Sequence, residues 1–207
     1  EPGFIRTWGD YVRALKQRNA ALKQGLSTDP WDPELARLGE TLAVSRQTLL
    51  EALHPEWEAI CGRLLGGLAL NWSFHRGWSQ EHSLSESLAL HRARDRERGT
   101  TGVGPHRFDV ALKVDGRLAR EVLSRGQQKL LGASMALAMA RLAARSFSAR
   151  RPILLLDDPA AAEALAHPAL AHSLNWLLTE RLITICVAVP SPVNAQQRVR
   201  QWIPEAA

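Results

Sequence analysis

Cysteine, methionine and tyrosine are scarce in this chain: two, two and one among 207 residues. Cys61 and Cys186 stand far apart, with neither CxxC nor His-paired ligand spacing, which argues against a disulfide scaffold and against a zinc site. No apolar run approaches the roughly 18 residues that a membrane helix needs. The first residues, Glu1 to Arg6, lack a basic-then-apolar leader pattern, so the expected location is cytoplasmic. Internal repeats and low-complexity tracts are absent. Acids are in slight deficit, 21 against 26 Lys+Arg, and the resulting net charge of +5 permits a polyanionic partner without establishing one. What remains is the balance of a globular protein, 45% hydrophobic and 23% charged. It is long enough for one large domain or two small ones.

The first third reads as helices. Phe4, Trp8, Val12, Leu15 and Leu22 recur at helical spacing, with Arg6, Arg13, Lys16 and Lys23 pointing largely elsewhere. A break rich in cap and turn residues spans 27–33. A second amphipathic helix then carries Leu35, Leu38, Leu42, Leu49 and Leu53 on one side. Pro55 is expected to end or kink it, and Trp57, Ile60, Leu64, Leu65 and Leu68 continue the apolar face. Residues 71–78 alternate like a half-exposed strand. Residues 84–98 read as a helix with Gly99 at its C-cap, and Phe108 to Val114 read as a strand before the hairpin turn Asp115-Gly116. The last third has an α/β texture. A long helix runs to about Ser146, apolar runs at 152–156 and 182–189 are expected in a parallel sheet, and a helix over 160–179 joins them. The tail 191–207 stays unassigned.

Two segments point to chemistry. Ile153-Leu154-Leu155-Leu156-Asp157-Asp158 sets two carboxylates at the C-terminal end of a strand, where α/β proteins bind ligands. One such acid can hold Mg²⁺ on a nucleotide and the next can orient a water; an ordinary buried strand with an acidic first loop explains the motif equally well. In Leu123-Ser124-Arg125-Gly126-Gln127-Gln128-Lys129, Ser124 can cap the following helix, and Gly126 lets a phosphate approach its N–H groups. A plain N-cap with a convenient glycine is the alternative. A Ser-x-Gly-Gln helix start, one long helix and a strand ending Asp-Asp is the order seen in ABC-type ATPases.

Four further stretches join these two: Tyr11-Val12-Arg13-Ala14-Leu15-Lys16-Gln17-Arg18-Asn19, Ser73-Phe74-His75-Arg76-Gly77-Trp78, Arg94-Asp95-Arg96-Glu97 and Gly104-Pro105-His106-Arg107-Phe108-Asp109. In this order, over about residues 3–160, the series resembles RecF, the bacterial recombination and replication-repair ATPase family. The resemblance implies an α/β chain: part of an ABC-type head with an inserted, mainly helical arm. The arm would be 1–90, with a strand near 72–78, and the head portion 91–190. It further implies Mg-ATP as cofactor, an ATP-bridged homodimer, and binding to gapped or single-stranded DNA. RecR and the recombinase RecA are the implied partners, in recombinational repair, replication restart and the SOS response. By the family pattern Ser124, Gly126 and Gln127 reach the ATP γ-phosphate of the opposite subunit. Asp157 takes the Mg²⁺ position, and Asp158 polarises the attacking water.

The sequence departs from that pattern in two places. No GxxxxGK[ST] occurs, so the phosphate-cradling loop is missing and the chain reads as the C-terminal portion of a RecF, inactive alone as an ATPase. After Asp158, residues 159–167 keep Glu163 but lack the aspartate that the family places there. Candidate DNA contacts are Arg13 and Lys16 with Arg6 and Lys23 on the first helix, Arg92, Arg94, Arg96 and Arg98, and Arg145, Arg150 and Arg151. For any one of them a solvated face with a snorkelling stem is the more common reading. Trp72 and Trp78 could stack bases but at strand spacing are more often core or sheet-face residues, and His75, His82, His106 and His172 receive no catalytic role. The rival to the ATP-switched reading is a non-enzymatic DNA- or partner-binding module on the same framework. An SMC- or transporter-type ATPase would need long heptad arms or membrane-facing contacts, and neither is present.

Overall fold

The computed structural model describes residues 2–66, 68–146, 153–156 and 184–187. Helix α1 (Pro2–Lys23) ends in a Schellman turn: Gly25 adopts φ +70°, and the Leu26 amide reaches back to the Ala21 carbonyl at 2.9 Å. Its phase differs from the expected one. The fully buried residues are Tyr11, Ala14, Arg18, Ala21 and Leu22, while Phe4, Trp8, Val12 and Leu15 lie half-buried beside them. Helix α2 (Asp32–Leu64) begins with Asp32 and Glu34 in its first turn, favourable to the helix dipole. It continues through Pro55, which therefore does not end it. Trp57, Ile60, Cys61 and Leu64 beyond that proline are all buried, and their burial outweighs the missing N–H. Leu49, expected on the apolar face, is 52% exposed.

Strand β1 (Leu70–His75) alternates half-buried and exposed residues, as a strand with one covered face must. Helix α3 (Leu84–Arg98) has a complete Ser83/Glu86 capping box and a left-handed Gly99 at its end. A short 3₁₀ turn (Pro105–Arg107) precedes β2 (Asp109–Val114). The expected hairpin is present: Asp115 (φ +49°) and Gly116 (φ +79°) form the two-residue turn into β3 (Arg117–Leu118), with Val114 opposite Arg117. The three strands form one sheet in the order β1-β2-β3. A single-turn helix α4 (Ala119–Val122) leads to α5 (Arg125–Ser146). Strands β4 (Ile153–Leu156) and β5 (Thr184–Val187) pair in parallel, Ile153 opposite Thr184 and Leu156 opposite Val187. This is the arrangement the two apolar runs predict. The expected helix over 160–179 and the tail 191–207 lie outside the described residues.

The chain forms two compact units, one from 1–50 with 72–112 and the other from 51–71 with 113–207. The first is built around Tyr11, Leu35, Leu38, Leu42, Trp78, Leu84, Leu88 and Val103. Trp78 is therefore a core residue that follows β1, not a stacking platform on it. In the second unit, the C-terminal half of α2 meets α5. The Trp57 indole N–H donates to Ser134 Oγ at 3.1 Å, and Glu56 receives both Arg141 and Arg145.

Candidate functional site

The Ser-x-Gly-Gln segment sits where a helix start can receive an anion. Ser124 is the residue before α5, and it pairs reciprocally with Gln127. The Gln127 amide N–H donates to Ser124 Oγ at 3.3 Å, and the Ser124 N–H donates to Gln127 Oε1 at 2.9 Å. This is a capping box with glutamine at its third position. It uses the acceptor ends of both side chains, leaving the Ser124 hydroxyl hydrogen and the Gln127 amide –NH₂ as donors. Gln128 Nε2 fixes the approach of the chain by donating to the Leu123 and Arg120 carbonyls. Ser124, Arg125 and Gly126 are exposed, and a Cβ placed on Gly126 would meet no atom within 4 Å. With no acid in the first turn and the positive end of a 22-residue helix dipole, the segment is suited to a phosphate. Beside it lies a groove of about 470 Å³ lined by Arg63, Leu64, Leu65, Gly66, Leu68, Gln127 and Leu130.

The other predicted positions divide into three groups. Asp157, Asp158, Arg150 and Arg151 lie outside the described residues, and among those described no cluster of three His, Cys, Asp or Glu is placed to hold a metal. Arg13 is exposed and leans on Asp10 at 3.3 Å, while Lys16 is exposed on the same helix. Arg145 is committed to the Glu56 carboxylate, which Arg141 also approaches at 2.8 Å. Arg92, in the basic run that ends α3, pairs with Asp29 and Asp32.

Sequence reasoning gave no role to a buried polar network that ties α1 to the segment after α3. Arg18, 0% exposed, donates through Nε to Asp32 at 2.7 Å and through one terminal nitrogen to Asp95 and to Thr101 Oγ1, both at 2.8 Å. Asp32 also receives the Thr28 hydroxyl and Arg92, Asp95 receives the Gly102 amide, and Asn19 Oδ1 receives the Thr101 amide and hydroxyl. Next to it, the Tyr11 hydroxyl lies 2.7 Å from His106 Nδ1, and His106 Nε2 lies 3.1 Å from the Thr101 carbonyl. A carbonyl only accepts, so Nε2 carries the hydrogen and Nδ1 accepts from Tyr11. Burial pushes the Tyr11 hydroxyl well above its ordinary pKa and holds His106 below the usual imidazole value. The available signal was the helical register: Arg18 falls seven residues after Tyr11 and four after Ala14, on the buried face.

No protein-family model matches the chain. Among curated proteins, the DNA replication and repair protein RecF of Yersinia pestis bv. Antiqua (strain Angola) is 38% identical over 201 residues, 95% of this chain and 54% of the relative. RecF of Shigella flexneri serotype 5b (strain 8401) is 38% identical over 161 residues, 76% of this chain and 45% of the relative. The solved structure of the recombination mediator protein RecF-ATP in the RecFOR pathway superposes with a TM-score of 0.77 at 20% identity, covering 93% of this chain and 54% of that one. Its RecF-ATPrS counterpart gives 0.74 at 19%. The fold is thus the α/β fold of part of a RecF, an ABC-type head with a mainly helical insertion. The chain spans about half the length of the curated relatives it matches, and over that stretch those relatives are RecF proteins.

Proposed function

We propose that the chain serves DNA replication and repair in the manner of RecF, binding DNA at single-strand gaps and junctions under the control of ATP. In this reading residues 1–90 are the arm and 91–190 the head portion. The α5 N-terminus caps the γ-phosphate of ATP held by a second subunit, with Ser124 and Gln127 donating and Gly126 admitting the phosphate to the backbone. Asp157 holds Mg²⁺ and Asp158 orients the attacking water. Lys16 and Arg13 are the first candidates for the DNA backbone, and RecR is the expected protein partner, in the cytoplasm. No described helix is long and apolar enough to cross a membrane.

The observation that carries this reading is the exposed Ser124-x-Gly126-Gln127 start of α5, with its donors left over after capping, in a chain 38% identical to RecF. Two charge-assisted hydrogen bonds to a phosphate contribute about 1.5–3 kcal/mol each, so their loss weakens an ATP-bridged pair more than a hundredfold. The test mixes the chain with a RecF that carries its own GxxxxGK[ST] and follows ATP-dependent association by sedimentation. Ser124→Arg is expected to abolish association while leaving the circular dichroism spectrum unchanged. Association that survives this substitution refutes the assignment.

The second reading is a DNA- or partner-binding module without nucleotide chemistry. The missing aspartate after Asp158 favours it. An equal DNA affinity with and without ATP would establish this reading over the first.

A further inference from the structure

The loop at 104–108 is fixed far more tightly than its exposure requires. Gly104 (φ +133°) packs backbone to backbone against Gly77 (φ +105°), and its N–H donates to the Gly77 carbonyl at 3.0 Å. A Cβ on Gly77 would come within 1.9 Å of the Gly104 oxygen, and one on Gly104 within 2.4 Å of the Tyr11 hydroxyl. Arg46 donates to the Pro105 carbonyl at 2.6 Å, and its guanidinium carbon lies 4.7 Å from the Phe108 ring and 5.1 Å from the Trp8 ring. His106 is bonded at both nitrogens. Between these fixed neighbours stands Arg107, exposed, with no hydrogen-bond or ion-pair partner for its guanidinium among the described residues. Arg46 has no carboxylate partner there either; it is held by a carbonyl and by rings. Asp109, the acid closest in sequence, accepts from the Val110 amide. The loop therefore presents Arg107, a planar fork on a backbone already ordered before any ligand arrives, with the Arg46 guanidinium of α2 packed against that backbone.

We propose that Arg107 is a phosphate-recognition residue, with the charge of Arg46 behind it. A guanidinium fork matches the paired oxygens of a phosphate, and a pre-ordered backbone spares the ordering entropy that a flexible loop would lose on binding. The inference does not depend on the α5 signature. The phosphate belongs either to a nucleic-acid backbone or to a nucleotide, and the experiment separates the two.

The Arg107 Nε–Hε resonance of the 207-residue chain is followed by NMR at low salt during titration with pyrophosphate, with ATP and with a single-stranded oligonucleotide. Affinities of the wild type, Arg107→Ala and Arg107→Lys are measured alongside. The expected result is a shifted resonance and a loss of about tenfold or more in Arg107→Ala, partly restored in Arg107→Lys, with unchanged Tm. A response to the oligonucleotide alone assigns the backbone phosphate, and a response to ATP or pyrophosphate assigns the nucleotide. A resonance unmoved by all three probes, or an Arg107→Ala variant with wild-type affinities, overturns the proposal. Ser124→Arg in the same titrations keeps the two readings apart, because it leaves the Arg107 response intact.

Discussion

Replacing Arg18 with methionine preserves most of the buried volume while removing the one cation paired with Asp95 among the described residues. The two acids it bridges are affected unequally. Asp32 keeps the Arg92 contact at 3.1 Å and the Thr28 hydroxyl at 3.0 Å, so it retains a cation. Among the described residues Asp95 keeps only the Gly102 amide at 2.9 Å, and its side chain is 1% exposed. Removing one partner of a buried ion pair costs about 3–5 kcal/mol, because the other is left desolvated and unpaired. That is a large share of the roughly 5–15 kcal/mol that holds an ordinary domain folded. Urea unfolding followed by circular dichroism, at a slope of about 2 kcal/mol per molar, translates this into a midpoint lower by about 2 M. Hydrogen exchange at the Thr101 and Gly102 amides is expected to accelerate in step. Asp95→Asn placed in the Arg18→Met background recovers about 1–3 kcal/mol, since the stranded charge is then gone. A loss under about 1 kcal/mol, or single substitutions whose effects simply add, would refute the assignment of Arg18 and Asp95 as one unit.

Three more substitutions have defined outcomes. Gly77→Ala sets a methyl group 1.9 Å from the Gly104 oxygen at a φ of +105°, and is expected to cost more than about 2 kcal/mol in thermal or urea unfolding. Gly126→Ala meets open space in the first turn of α5, so Tm is expected to hold or rise while ATP-dependent association with a P-loop-bearing RecF weakens. Half-buried His106 has its pKa lowered by desolvation, so the unfolded state binds the proton more readily. The stability it contributes is full above the unfolded imidazole value of about 6.5 and is lost as pH falls below it. His106→Gln is expected to flatten that part of the stability profile measured between pH 7 and pH 5.

Local rules made much of the fold legible in the sequence. Ser83, Glu86 and Gly99 delimit α3 through contacts within one turn of each end, and Asp115-Gly116 closes its hairpin through φ angles that few other residue pairs adopt. The errors come from tertiary terms. Pro55 costs its helix one hydrogen bond, but the burial of Trp57, Ile60 and Leu64 beyond it is worth several times more. The period of α1 was readable and its phase was not. A hydropathy pattern places a charged residue on the solvent side, whereas Arg18 lies on the buried face because its acids arrive from 14 and 77 residues away. Trp78, by contrast, falls on the covered side of the β1 alternation, where a core residue is expected more than a stacking platform, and it is buried there.

At the α5 N-terminus the sequence left two explanations standing, a simple helix cap and a phosphate-binding signature. The geometry shows that they do not compete. A cap needs acceptors, and the Ser124 Oγ lone pair and the Gln127 carbonyl oxygen supply them to two backbone N–H groups. A phosphate needs donors, and the same two side chains still hold a hydroxyl hydrogen and an amide –NH₂. Capping also restricts the rotamers of Ser124 and Gln127, so those donors are oriented before an anion is present and part of the ordering cost falls on folding instead of binding. A chain that needed only a helix start would be served as well by alanine as by glycine at the second helical position. Gly126 sacrifices about 1 kcal/mol of helix propensity there, in a place where no protein atom crowds it. The packing of the described residues gives no reason for that sacrifice, whereas the phosphate contact proposed for this helix start would.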